Sequence, residues 1–285
     1  MAPLHFLMAL AVPVIWGMGI VFAKAALDHF PPILLIAFRF AVTAGVLVWF
    51  VRPPWPLMGR IFLIALVSVT IQYSLTFTGL KYLDASVTVL VVQLEVPILI
   101  LIGALFLSER PSPRTYAGIV MTFLGVVLIA GDPNLQGAYF PFFLLLTGVT
   151  TWAVGQAMVR KLGGGVGGFT LIAWVAVLGT PQLFFASWLL EVDQLRLIRD
   201  ADWVVWGTVI YLGLAMTALG YGLWYRLLGR YPVHKVAPFL LLLPVTSVLG
   251  SVFVLGETLS LPVMIGGAVV IAGVAFIVLE KGADS

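Results

Sequence analysis

The chain has 285 residues, of which 62% are hydrophobic and only 9% charged, with a mean hydropathy of +1.14 and a net charge of +3. A soluble domain carries about 25% charged residues, so this chain lacks the polar surface of one, and we predict an integral membrane protein. The absence of cysteine excludes disulfide and thiolate chemistry. The basic residues form no stripe, so no nucleic-acid partner is expected.

Ten apolar runs follow one another along the chain. A membrane-spanning helix needs about 20 apolar residues, and charges, prolines and glycines divide the sequence into runs of about that length. The first run is too long for a cleavable signal and lacks a basic start, so we interpret it as a membrane helix. We predict an all-α, multi-pass membrane protein whose ten helices cover residues 4–27, 32–50, 60–80, 84–107, 113–130, 137–160, 167–189, 203–226, 233–255 and 261–280.

The placement of Lys and Arg predicts the orientation of the bundle. If the N-terminus is cytoplasmic, the inner connections hold ten basic residues and the outer connections hold three. Cytoplasmic connections of membrane proteins are enriched in Lys and Arg, so both termini are predicted to be cytoplasmic. The longest outer connection, residues 190–202, spaces Leu195 and Ile198 three positions apart, which predicts a short helix lying on the membrane surface.

The two halves of the sequence resemble each other. "LFLSERPSP" (105–113) matches "FVLGETLSL" (253–261), which pairs Glu109 with Glu257, and the glycines of 116–130 match those of 264–278. Each half contains five helices, and five is odd, so the second copy enters the membrane from the opposite side. We therefore predict two inverted-topology repeats, residues 1–130 and 131–285, an architecture typical of alternating-access carriers.

Four short stretches carry a family resemblance: "VIWGMGIVFAKAAL" in the first helix, "AFRFAVTAG" in the second, "LSERPS" after the fourth and "LGETLS" after the ninth. In their order and spacing the chain resembles the drug/metabolite transporter (DMT) superfamily, specifically the EamA-type ten-helix exporters, and among these most resembles the YddG group of aromatic amino-acid exporters. The resemblance implies a basket of helices around a central cavity. It also implies amino acids or related metabolites as cargo.

Glu95 stands in the middle of the apolar stretch "VLVVQLEVPILILIGALFL" (89–107), two residues after Gln93. A charge at the centre of a membrane helix costs on the order of 3 kcal/mol. One interpretation is a structural ion pair with Arg39, since a rise of about 1.5 Å per residue places the two backbones at similar depths. The alternatives are contact with the amino group of the cargo, a proton site coupled to transport, or an inert neutral carboxyl.

Prolines interrupt two of the predicted helices. Pro97 removes a backbone hydrogen bond from the fourth helix and should kink it, and Pro238 and Pro244 do the same in the ninth. Pro244 is the approximate repeat counterpart of Pro97. Membrane helices also tolerate proline for purely structural reasons, but the pairing between the halves favours functional bends near the midplane, where carriers bind cargo.

Aromatic and amide side chains complete the candidate binding site. Several lie too deep for the interfacial aromatic belt, while Tyr221 lies closer to the cytoplasmic end, where a belt role competes. Such rings suit a cavity for amphipathic cargo, although each one could equally be packing. With Arg39, Gln93 and Glu95, the candidates are Trp16, Gln72, Tyr73, Trp152, Gln156 and Tyr221.

These features predict a secondary transporter in the cytoplasmic (inner) membrane of a bacterium, with the lipid bilayer and a small-molecule substrate as its partners. No metal, cofactor or ATPase partner is expected. One alternative is an exporter of other metabolites or drugs that is coupled to protons through Glu95. Another is a non-transporting membrane assembly subunit. A membrane enzyme would need clustered His, Asp or Glu at depth, which the sequence does not offer.

Overall fold

The computed structural model describes residues 2–106, 111–162, 166–228, 230–231 and 233–279. Glu109 and the first glycines of the stretch 163–168 lie outside these ranges. Within them the chain forms ten helices long and apolar enough to cross a membrane, which we number in chain order. The spans are α1 Pro3–Ala26, α2 Pro32–Phe50, α3 Trp55–Tyr82, α4 Ala85–Leu105, α5 Pro113–Ala130, α6 Tyr139–Leu162, α7 Gly168–Leu190, α8 Trp203–Leu227, α9 Pro238–Leu255 and α10 Leu261–Val278.

The predicted ten spans are thus confirmed. Two of the spans begin at serine caps: Ser112 Oγ accepts from Thr115 N at 3.1 Å and Ser260 Oγ accepts from Val263 N at 3.3 Å. Ser112 directly precedes Pro113, and Ser260 precedes Pro262 by two positions; in the first turn of a helix the missing N–H of a proline needs no partner. At the start of both helices, the serine hydroxyl accepts from one backbone N–H of the first turn, and the proline removes another N–H that would lack a partner.

The predicted short helix between α7 and α8 is present as Gln194–Asp200, but its apolar face differs from the prediction. Leu195 is 82% exposed, while Leu197 and Ile198 pack on the large buried core around α2. The three-residue spacing in the sequence had suggested that Leu195 and Ile198 lie on the same apolar face of this helix. The contacts show instead that the neighbouring Leu197 shares the inward side.

Packing between spans follows the repeat. Exchanging α1 with α6, α2 with α7, α3 with α8, α4 with α9 and α5 with α10 converts the most extensive contacts into one another: α1 packs on α8 as α6 packs on α3, and α1 packs on α9 as α6 packs on α4. The pairs α2–α7, α4–α9 and α5–α10 map onto themselves. Equivalent spans of the two halves therefore have equivalent surroundings.

The most extensive of these contacts joins α5 to α10 at the bundle edge. A Cβ added at Gly125 would come within 2.7 Å of the carbonyl oxygen of Gly266, and one at Gly118 within 2.7 Å of that of Gly273. Backbones this close require residues without side chains. Gly118, Gly125, Gly266 and Gly273 thus allow α5 and α10 to approach closely.

Helical geometry breaks where the prolines predicted it. In α4 the regular helix stops at Val92 and resumes at Glu95, so the interruption at residues 93–94 includes Gln93, whose carbonyl loses its ordinary partner four residues on at Pro97. In α9 a 3₁₀ turn, Ala237–Leu241, contains Pro238 and ends shortly before Pro244. The functional meaning of these bends remains a prediction.

Three spans also contain π-helical turns, which the sequence did not predict. They are Leu66–Ile71 in α3, Tyr211–Leu219 in α8 and Ser251–Leu255 in α9. α3 and α8 are equivalent spans of the two repeats. A π turn shifts the following residues around the helix axis and often marks a functional site.

At the outer end of the bundle, by which we mean the end where α1 finishes, two charged side chains hold the α3–α4 connection. Lys24 Nζ donates to the carbonyl oxygens of Leu80, Lys81 and Leu83 at 2.8–2.9 Å. Glu257 accepts from the backbone N–H groups of Ala85 and Ser86 and from the Ser86 hydroxyl, at 2.6, 3.0 and 2.6 Å. We call Lys24 and Glu257 with these partners the outer clamp. It joins α1 and the α9–α10 connection to one short loop.

Candidate functional site

Arg39 is the most deeply buried charged side chain in the described part of the chain, with 1% of its surface exposed. Its Nε donates to Thr217 Oγ1 of α8 at 2.9 Å, and its guanidinium carbon lies 4.9 Å from the centre of the Tyr73 ring and 5.5 Å from that of Phe40. Its Nη1 is buried without a hydrogen-bond partner among the described residues. The cation is thus fixed on one side and unsatisfied at one donor.

The π turn of α8 supplies two of the polar contacts in this region. Thr217 Oγ1 donates to the carbonyl of Leu212, five residues back, and at the same time accepts from Arg39. The carbonyl oxygen of Met216 accepts from Trp16 Nε1 of α1 at 2.9 Å. Without the extra residue of the π turn, these two groups would not both face α1 and α2.

Aromatic rings continue the same surface. The rings of Trp16 and Tyr221 lie 5.0 Å apart, and Tyr221 stacks on Tyr225 at 6.1 Å. A Cβ at Gly220 would come within 2.3 Å of the Trp16 indole nitrogen, so the glycine leaves room for that ring. We call Trp16, Arg39, Tyr73, Thr217 and Tyr221 the central cluster. It joins α1, α2, α3 and α8.

Glu95 faces the central cluster from α4. Glu95, Arg39 and Tyr73 all lie within electrostatic range of Tyr221. α4 packs on α1, α6, α9 and α10, and α8 packs on α1, α2 and α7, so α1 contacts both the span that carries Glu95 and the span that carries Tyr221. The Glu95 side chain is half-buried. It therefore lines the interior of the bundle.

The ion pair between Glu95 and Arg39, one interpretation of the sequence, is absent. In the described ranges Glu95 makes neither a hydrogen bond nor an ion pair, and Arg39 is bonded to Thr217 instead. Similar depth in the membrane was the basis of the expectation. Depth does not fix the direction of a side chain around its helix, and Arg39 points to α3 and α8.

The remaining candidates lie on α3, α4 and α6. Gln72 is buried and donates to Thr76 Oγ1 at 3.1 Å, while its Oε1 is buried without a described partner. Gln93 is half-buried in the break of α4. Trp152 and Gln156 are half-buried on α6, and the described hydrogen bonds and ring contacts do not link them to the central cluster. The structure brings together Trp16, Arg39, Tyr73 and Tyr221, with Glu95 opposite.

Thr217 was missed by the sequence analysis. Its signal was a single hydroxyl in an otherwise apolar stretch, "YLGLAMTALG" (211–220), which is too common in membrane helices to be diagnostic. Only the π turn gives this threonine its position beside Arg39.

A cavity of about 930 Å³ lies at the outer end of the bundle, between α2, α3, α6 and α7. It is lined by none of the predicted site residues. Its walls include Tyr82, Phe140 and Leu190, which are 64%, 69% and 73% exposed. The cavity therefore opens at the perimeter of the bundle, away from the central cluster.

Comparison with known proteins agrees with this architecture. The sequence matches the EamA-like transporter family twice, over residues 4–131 and again over residues 140–279. The chain belongs to the EamA-like transporter family, within the DMT superfamily that the sequence motifs predicted. It is a multi-pass membrane protein with two family repeats, and it is a member of a family of transporters and not of enzymes.

Its relatives include two proteins named probable amino-acid metabolite efflux pump. The one from Salmonella typhimurium is 32% identical over 281 residues, and the one from Escherichia coli is 28% identical over 275 residues; each comparison covers 93% of this chain and 92% of the relative. A solved crystal structure that is 19% identical covers 95% of both chains with a TM-score of 0.68. That structure supports the fold.

Proposed function

We propose that this chain is a secondary transporter that exports amino acids or related small metabolites across the cytoplasmic membrane by alternating access. The observation that carries the proposal is that the bundle interior holds a cation, Arg39, and a carboxyl group, Glu95, that are not paired with each other within the described residues. A zwitterionic amino acid presents the two complementary charges. The rings of Trp16, Tyr73 and Tyr221 offer apolar area for its side chain.

The packing and the relatives support this proposal. The contacts of the two repeats are exchanged in pairs, and carriers that rock between two states are commonly built from such repeats. Relatives from two bacteria are named amino-acid metabolite efflux pumps. Aromatic amino acids, with large planar side chains, are the cargo that best fits the rings of the central cluster.

The test is counterflow in proteoliposomes that contain the purified protein. Vesicles preloaded with one amino acid, in turn Phe, Trp, Thr and Met, should accumulate the same labelled amino acid without any ion gradient. Protein-free vesicles provide the control. If folded protein exchanged none of these amino acids, the cargo would have to be sought among other metabolites, and the assembly-subunit interpretation would gain support.

A second candidate function is proton-coupled export through Glu95. It is favoured by the position of this carboxyl, which lines the interior without a described hydrogen-bond or ion-pair partner. A pH gradient should then drive uphill export, and Glu95→Gln should abolish that response while leaving exchange intact. Gradient dependence that is the same in the variant and the natural protein would remove Glu95 from any coupling role.

A further inference from the structure

We infer that the guanidinium of Arg39 anchors a carboxylate group of the cargo, so that the transporter requires a free carboxylate on every molecule it exports. The inference rests on the proposed export function and adds to it the chemical class of the substrate and the residue that selects this class.

The guanidinium is held from two directions. Thr217 Oγ1 accepts from Nε at 2.9 Å, and Thr217 is itself bonded to the carbonyl of Leu212. The ring of Tyr73 lies 4.9 Å from the guanidinium carbon, a separation typical of a cation–π contact. Together they fix the position of the cation before any cargo arrives, which reduces the entropy lost on binding.

The other side of the guanidinium lacks a partner. Nη1 is buried and makes no hydrogen bond within the described residues, although Arg39 as a whole is 1% exposed. A buried cation without an anion is strongly unfavourable. Elsewhere in this protein a lysine with a purely structural role is satisfied: Lys24 donates to three carbonyl oxygens. The open donor of Arg39 therefore points to a partner that comes and goes.

The chemistry of the open donor selects a carboxylate. Arg presents planar, parallel N–H donors that match the two oxygens of a carboxylate and form short charge-assisted hydrogen bonds with it. An amide or an ester at the same place offers a single neutral acceptor. Glu95, which lies within electrostatic range of Tyr221, offers carboxyl oxygens that can accept hydrogen bonds from the ammonium group of the same molecule.

The decisive experiment uses the natural protein and a matched set of cargo molecules. Counterflow of labelled phenylalanine is measured in competition with unlabelled phenylalanine, phenylalaninamide and 2-phenylethylamine, which share the ring and the amine but differ at the carboxyl. We expect the amide and the amine to compete about tenfold to a hundredfold more weakly than the acid. A loss of this size corresponds to the loss of hydrogen bonds to a charged donor.

Variants then locate the effect at Arg39. Arg39→Lys keeps the positive charge but loses the planar pair of N–H donors, so it should raise KM more than it lowers turnover. Arg39→Gln should remove the preference for the acid over the amide. Arg60→Gln, the same change at an exposed position near the start of α3, is the matched control and should keep the preference.

The outcomes separate the two proposals. Equal competition by acid, amide and amine in the natural protein would overturn the carboxylate anchor and leave amino-acid export standing. Absence of exchange with every amino acid would overturn the proposed export function itself. If Arg39→Gln failed to fold, the competition series and Arg39→Lys would still decide, because neither depends on that variant; a folded Arg39→Gln that keeps full preference would contradict the assignment.

Discussion

The outer clamp and the central cluster differ in whether their charged side chains have hydrogen-bond partners. Lys24 and Glu257 sit at the end of the bundle, and each has three hydrogen bonds to residues 80–86, where α3 ends and α4 begins. Arg39 and Glu95 sit in the interior, where an unpaired charge costs most. There Nη1 of Arg39 has no hydrogen-bond partner, and Glu95 makes no hydrogen bond or ion pair, among the described residues. The difference indicates that charged side chains with a full set of hydrogen bonds stabilise the structure of this protein. Those with missing hydrogen bonds lie where a ligand can supply them.

Substitution of Lys24 should have the largest effect on stability. Lys24→Met keeps most of the apolar stem but leaves three carbonyl oxygens without their donor, and we expect a loss of about 3 kcal/mol in the free energy of unfolding. Thermal or denaturant unfolding of the purified protein measures it. Lys81→Met, at an exposed position of α3, is the control and should change little. Equal stability of the two variants would show that the clamp contributes nothing.

Glu257→Gln should have the next largest effect. An amide keeps one acceptor for the N–H groups of Ala85 and Ser86 but loses the negative charge at the start of α4, where the helix dipole favours it. We expect a loss of about 1.5 kcal/mol in the free energy of unfolding. Unfolding that is indistinguishable from that of the natural protein would argue that neutral hydrogen bonds suffice at this helix start.

A smaller effect, of opposite sign, is expected for Asp84 between the two clamp residues. Burial, followed by the charge of Glu257, raises the pKa of Asp84 above its ordinary 3.8, although Lys24 opposes this shift. The folded protein therefore binds this proton more tightly than the unfolded chain does. The contribution of the carboxyl to stability is present below pH 3.8 and is lost as the pH rises through the raised folded pKa.

Asp84→Asn should consequently be slightly more stable than the natural protein near neutral pH, with the difference vanishing under acid conditions. Because the side chain is buried only in part and remains accessible to solvent, screening keeps the gain small. Melting temperatures across a pH series measure it. A variant less stable at neutral pH would mean that attraction to Lys24 outweighs burial and repulsion by Glu257 and Asp132.

The smallest effect on stability is expected in the interior. Glu95 makes no hydrogen bond or ion pair with the described residues, so Glu95→Gln should leave the free energy of unfolding within about 0.5 kcal/mol of the natural value. If Glu95 contacts the ammonium group of the cargo, exchange by Glu95→Gln should nonetheless weaken; if Glu95 is a proton site, only the response to a pH gradient should be lost. A destabilised Glu95→Gln would break the distinction between clamp and cluster, since it would show that Glu95 also holds structure.

Prediction from sequence succeeded where chemistry alone determines position along the chain. Apolar runs predicted the ten spans, and Pro97 predicted the break around Gln93. The missing N–H of a proline has the same consequence in any packing arrangement. The membrane orientation, the boundary at residues 130 and 131, and the roles of the site residues stay predictions.

Prediction failed where rotation about a helix axis decides the contact. A nearly all-apolar span has no polar face to reveal which side points inward, so Arg39 and Glu95 could be matched in depth but not in direction. The π turn of Tyr211–Leu219 adds to the difficulty, because it rotates Thr217 toward Arg39 without any sequence signal. The prediction for Leu195 was wrong for the same reason, because the sequence does not determine the rotation of the short helix Gln194–Asp200 about its axis.

The outer clamp also imposes an order on biogenesis. Glu257 lies 172 positions after Ala85, so during synthesis α4 enters the bilayer long before the carboxylate that receives its first amides has been translated. Until then those amides depend on water or lipid headgroups, and the first repeat remains an unfinished half. A transcript cut short before codon 257 would therefore yield helices that insert into the membrane but lack the hydrogen bonds of Glu257. Such an incompletely stabilised chain would be a substrate for membrane proteases.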